Sequence, residues 1–115
     1  MDINPDLAEL QATLAAHASS LVDRLGEAET FAEARAIQIE LAEINHRITV
    51  VGNCLFAEQT KGISNAMGKV RDATAEIRRA IRRIDDIADF IRTVTSFLAL
   101  VDKVIDTAKL VVPVI

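Results

Sequence analysis

The side chains best suited to chemistry in this sequence are few. They are two histidines, one cysteine, and two adjoining charge clusters, Arg78-Arg79 with Arg82-Arg83 and Asp85-Asp86 with Asp89. His17 and His46 lie far apart, and neither has a ligand-type residue four positions on. Two packing or surface histidines are therefore expected, not a metal centre. A single cysteine, Cys54, excludes an intramolecular disulfide and a cysteine-based zinc site. With no lysine close by in sequence to activate it, it reads as a small buried side chain. Three aspartates on one helical turn could hold a cation, but such a cluster is usually just solvated. The four arginines could form a phosphate or nucleic-acid patch. They read instead as a solvated flank paired with Glu76, Asp85, Asp86 and Asp89, because the aromatic residues a single-strand binder interleaves are absent. No glycine spacing forms a phosphate loop, and two histidines without partners assemble no nucleophile–base pair. The expectation is no catalytic residue, no cofactor, no metal and no small-molecule substrate; the protein is not expected to be an enzyme.

The elements that would position such groups are helices. Half of the 115 residues are hydrophobic, with four Gly, two Pro, four Phe and no Trp or Tyr. That composition is too apolar for a disordered chain and too poor in turn residues for an all-β fold. Length and composition fit one all-α domain over residues 1–115. Asn4-Pro5 is a helix start. Leu7, Leu10, Leu14, Ala18, Leu21 and Leu25 then recur at helical spacing up to Gly26, which predicts a first helix over 5–25. Thr30 with Glu33 matches a capping box. It opens a run spaced 3,4,3,4 from Ala34 through Ile37, Leu41, Ile44, Ile48 and Val51 to Leu55. This is a heptad seam. It fails near Glu58 and Gly62 and resumes out of phase at Ile63, Met67, Val70, Thr74, Ile77, Ile81, Ile84, Ala88 and Ile91. The phase slip predicts a turn at 58–64, in preference to one unbroken helix with altered winding. The expected architecture is a long antiparallel hairpin of 30–57 and 65–92 or longer, within a three- or four-helix bundle of coiled-coil-like packing.

From residue 87 a second apolar stripe runs beside the first, through Ile87, Phe90, Val94, Phe97, Val101, Val104, Ala108 and Val111. Most of the circumference of 94–112 is thus apolar, as in a helix buried on several sides or lying in lipid. Thr93-Val94-Thr95-Ser96 is a weak break signal, and Pro113 ends the run. A straight helix over 65–112 would be ~72 Å long against ~42 Å for 30–57. The C-terminal third then overhangs its neighbours. Exposing five or six large side chains there would forfeit roughly 1.5–3 kcal/mol each. Three outcomes relieve this. The chain bends at 93–96 and completes a four-helix bundle, the overhangs of several subunits pack together, or the segment enters a membrane or a partner's groove.

Charge divides along the chain. Residues 1–60 carry three basic and ten acidic side chains, and residues 61–115 ten basic and seven acidic. An acidic arm facing a basic arm favours antiparallel pairing or contact between subunits, although each surface pair contributes only ~0–1 kcal/mol. The net charge of −4 argues against nucleic acid as a partner. The N-terminal residues form no secretory signal, and no apolar run approaches the ~20 residues of a spanning helix. A cytoplasmic protein is expected, with signal-less secretion left open. In general style, long Ala/Thr-rich amphipathic helices ending in an apolar segment, the chain resembles granule-coating phasins and components of α-helical pore-forming toxins. The resemblance covers no motif and carries over no residue.

The functional expectation is a helical interaction module that forms a homo-oligomer or binds a helical protein. Its contacts are expected at Ile77, Ile81, Ile84, Ile91, Phe97, Leu98, Val101 and Ile105. The alternative is a membrane-active protein, pore-forming or lipid-surface-binding, that uses residues 94–115.

Overall fold

In the computed structural model, which describes residues 2–113, four helices of nearly equal length share one core. Helix α1 spans Pro5–Leu25, α2 Phe31–Gly52, α3 Lys61–Arg82 and α4 Ile87–Lys109. Each opens on a side-chain cap. Asn4 accepts from the backbone N–H groups of Asp6 and Leu7, Thr30 from Glu33, Thr60 from Ile63 and Asp86 from Asp89. Such caps satisfy donors that the first turn leaves open, at ~1 kcal/mol each.

Helices α1 and α2 form one hairpin and α3 and α4 another, while α1 lies beside α3 and α2 beside α4. The order around the bundle is α1–α2–α4–α3. Ion pairs fix the directions. Arg71 of α3 meets Asp6 and Glu9 at the start of α1, and Arg24 at the end of α1 meets Glu33 at the start of α2. Near the ends of α2 and α4, Arg47 meets Asp102. The two hairpins are therefore antiparallel within themselves, and they dock through parallel pairs, α1 with α3 and α2 with α4.

The bundle is the expected one, but its pairing differs. Segments 30–57 and 65–92 do not form a hairpin; α2 and α3 sit across the diagonal. Helix α2 stops at Gly52, with Asn53 as its cap, although the apolar spacing runs on to Leu55. Cys54 and Ala57 are apolar for another reason: the link 53–60 is tucked under the bundle end. There the Asn4 N–H donates to Leu55 O at 2.7 Å and the Glu58 N–H to Val111 O at 3.1 Å. The link thus touches the cap of α1 and the residues just past α4 as it crosses below, at what we call the lower end.

The second break is also displaced. Thr93–Ser96 lies inside α4, because burial of Val94 and Phe97 outweighs the few tenths of a kcal/mol of helix propensity lost there. The chain breaks instead at 83–86, where Arg83 is extended and Asp86 starts a new helix. Ile84, whose spacing continues the seam, is a half-buried residue of that upper turn. With 21, 22, 22 and 23 residues, the helices match at about 33 Å each and leave no overhang.

Asn4 ties this arrangement together. Beside its two capping bonds, its Nδ2 donates to Ala57 O at 3.1 Å and to Gln59 Oε1 at 2.7 Å. The side chain is buried. Asn4→Ala is expected to cost roughly 2–4 kcal/mol, from a lost cap and a stranded carbonyl. Asn4→Asp keeps the cap oxygens and is expected to lose less. Urea midpoints of the two variants check this; equal losses would mean that the cap contributes nothing, and an Asn4→Asp variant as stable as the parent that the cross-link to Ala57 contributes nothing.

Candidate functional site

Six of the eight expected contact residues lie inside the chain's own core. Ile77, Ile81, Phe97, Leu98, Val101 and Ile105 are all buried, Phe97 to 2 % exposure. The premise that the C-terminal segment holds more apolar surface than the chain itself can cover is corrected by this packing. It rested on the ~72 Å helix that the break at 83–86 removes. Ile84 is half-buried, and Ile91 remains substantially exposed at 39 %. Val114 and Ile115, the last residues of the apolar 94–115 segment, lie outside the described residues.

Three surfaces then stand out. The first is the lateral groove between parallel α2 and α4. Its apolar lining is Ile39, Leu98 and Ala99, and its lower half is charged, with Glu43, Arg47 and Asp102. Ile39 is 48 % exposed. On α4, Ile91 and Thr95 stand one turn apart on the side that carries Leu98 and Asp102, so Ile91 extends the apolar strip upward. Arg47 donates to Asp102 at 2.9 and 3.1 Å and to Glu43 at 2.8 Å. Those bonds, the one to Asp102 foremost, hold its pKa above the already high arginine value. Glu40 is buried on the floor of the groove. Burial raises its carboxyl pKa, Glu43 adds to the rise, and Arg47 opposes it.

The second surface is the groove between α1 and α3, an open trough of about 360 Å³ lined by Ser20, Asp23, Arg78 and Arg82 with His17 among them. His17 is a core residue, 2 % exposed, set edge-to-face against Phe97 of α4 with ring centroids 5.3 Å apart. Burial, helped by Arg78, lowers its pKa to about 4, so the ring is neutral at physiological pH. The expected pairing of the arginine cluster is present only in part. Arg83 binds Asp85, and Asp89 is taken by Arg92. Among the described residues no carboxylate stands within ion-pair distance of Arg78, Arg79 or Arg82.

The third surface is the lower tip. Ile3, Phe56 and Leu110 are exposed beside residues joined by the backbone bonds of Asn4 and Glu58, and Leu110 is 84 % exposed.

Helical periodicity cannot reveal these surfaces. It marks the apolar face of a helix but not which neighbour covers it. It also passes over Glu33 and Glu40, two carboxylates buried on the core side of α2. Glu33 leaves its backbone N–H to the Thr30 cap and turns its carboxylate to Arg24.

The remaining chemistry-bearing residues are isolated. His46 is exposed. It follows Glu43 at the Glu-x-x-His spacing of helical di-metal sites, but those need the motif twice, with two further inward glutamates. Among the described residues no group of three or more His, Cys, Asp or Glu is placed to hold a metal. Cys54 is buried, and desolvation raises its thiol pKa against a small opposing effect of Lys109. That keeps it protonated and unreactive at neutral pH. No helix among the described residues is long and apolar enough to cross a membrane. No family model matches the chain, and neither the curated proteins nor the solved structures include a significant match to it.

Proposed function

We propose that the chain is a non-enzymatic helical interaction module that self-associates through the lateral face of α2 and α4. The observation that carries this reading is exposed Ile39 lining an apolar groove over Leu98 and Ala99, with exposed Ile91 one turn above Thr95 on the same side of α4. Of the eight contacts expected from sequence, the reading keeps Ile91 at the surface, with buried Leu98 as the floor beneath it; Ile77, Ile81, Phe97, Val101 and Ile105 serve the core, and Ile84 the upper turn. The 3,4-spaced seams are read as shallow, coiled-coil-like packing of the bundle walls.

Size and charge favour a second copy as the occupant. The molecule measures 47 × 24 × 16 Å, so a lateral face approaches the ~800 Å² per partner of a standard interface. The upper end of this face carries exposed Arg35, and the lower half carries Glu43, Asp102 and Asp106 around Arg47, a net negative charge. A two-fold antiparallel contact sets Arg35 of each copy toward the acidic lower half of the other. With only two large exposed anchors, the dimer is expected to be weak, roughly micromolar.

Light scattering across a concentration series tests the proposal. The parent is expected to dimerise, and Ile39→Asp and Ile91→Asp to remain folded monomers, because both positions are already wet. A parent that stays monomeric throughout would sink self-association.

A second reading, contact with a lipid surface, is supported by the lower tip with Ile3, Phe56 and Leu110. It lacks the Trp and Tyr that anchor proteins at membrane interfaces. Flotation with neutral and anionic liposomes separates the two readings.

A further inference from the structure

The α1/α3 interface repeats one arrangement three times and completes it once. At the lower level Arg71 is clamped by α1. Its Nε and Nη2 donate to the Glu9 carboxylate at 2.7 and 3.1 Å, and Nη2 donates to Asp6 at 2.7 Å. Because α1 and α3 run parallel, the same geometry recurs two and three turns higher. Two turns up, Arg78 takes the place of Arg71, and the positions of Asp6 and Glu9 fall to Thr13 and Ala16. Three turns up, Arg82 takes that place, opposite His17 and Ser20. No carboxylate occupies α1 at either level. The small side chains of Ala16 and Ser20 leave the trough of about 360 Å³ beside the two guanidinium groups.

We propose that this trough binds a compact phosphate group, free or as the monoester of a small molecule, which takes the place that Glu9 and Asp6 occupy against Arg71. Two guanidinium groups one turn apart can each present paired N–H donors to one oxyanion. Ser20 adds a hydroxyl from the opposite wall. Charge limits the size of the ligand. Asp23 and Glu27 line the trough above, and Asp6 and Glu9 stand below. A polyanion laid along this face would meet carboxylates at both ends, whereas one phosphate group fits between them. This feature separates the site from a nucleic-acid patch.

Nuclear magnetic resonance titration of the full chain tests the proposal, with inorganic phosphate and glycerol phosphate as probes and chloride adjusted to hold ionic strength constant. Saturable shifts centred on Ala16, Ser20, Arg78 and Arg82 are expected with at least one probe. They should vanish in Arg78→Gln/Arg82→Gln and persist in Arg79→Gln, a residue that does not line the trough. Ala16→Glu provides the converse test. By the Arg71 precedent it supplies the missing carboxylate from within, so it should melt no lower than the parent and lose the phosphate response. Shifts that grow linearly without saturating, or that survive in the double variant or in Ala16→Glu, would overturn the proposal. So would a lack of response to both probes.

Discussion

Phe97→Ala is expected to destabilise the protein by roughly 3–5 kcal/mol, a large share of what a domain of this size possesses. Phe97 is 2 % exposed and reaches across the bundle from α4 to the His17 ring of α1. Truncation therefore opens a cavity where α1 and α4, which are not lateral neighbours, meet. The loss should be the same at low and high protein concentration, because the residue is covered by its own chain. A loss that shrinks as concentration rises would place Phe97 at a subunit contact and contradict the packing described above. Chemical denaturation at two well-separated protein concentrations is sufficient to decide.

The second large effect is on acid stability. His17 has an ordinary pKa of 6.5 when unfolded and about 4 in the fold. Above pH 6.5 the ring is neutral in both states, and its packing against Phe97 contributes fully. Between pH 6.5 and 4 the unfolded chain takes up a proton that the folded one refuses. Stability then falls by up to about 1.4 kcal/mol per pH unit. Below pH 4 both states are protonated and this loss stops growing. Allowing for screening at the mouth of the trough, the total is about 2–3 kcal/mol. Glu40 acts with the opposite sign. Its raised pKa means that the fold favours the neutral carboxyl, so it contributes more as pH falls and less as pH rises through its folded value. His17→Leu isolates the histidine effect. Its stability should stay nearly level across the window in which the parent declines. Parallel decline of the two proteins in urea titrations at pH 6.5 and pH 4 would show that other groups drive the acid response.

Much of the architecture could be read from local signals, and the errors have identifiable causes. The start of α1 rested on Asn4-Pro5 and that of α2 on Thr30, both short-range capping features that tertiary structure leaves intact. The break at 83–86 also had a local signal, Asp86 with Asp89 three residues on, but Ile84 kept the heptad in phase across it. An apolar residue in a tight turn and one in a helix look alike to a periodicity argument. From that single misplacement followed the over-long helix, its overhang, and the expectation that six core residues face a partner. The candidate surfaces were less legible still. Arg78 and Arg82 differ from Arg71 only in what α1 presents two and three turns higher, a fact of register between helices with no trace in either helix alone.

The link 53–60, passing diagonally beneath the bundle, divides the chain into two consecutive hairpins, each closed on itself by contacts within its own half. As the polypeptide leaves the ribosome, the acidic α1/α2 pair emerges before the basic α3/α4 pair has come out behind it. At common translation speeds it waits roughly 3–10 s for its counterpart. A lone helical hairpin is only marginally stable, so the newborn half exposes Leu14, Ile37 and Ile44 for that interval. Any early protector of this protein, whether a chaperone or a sibling chain on the same polysome, would have to recognise that first half.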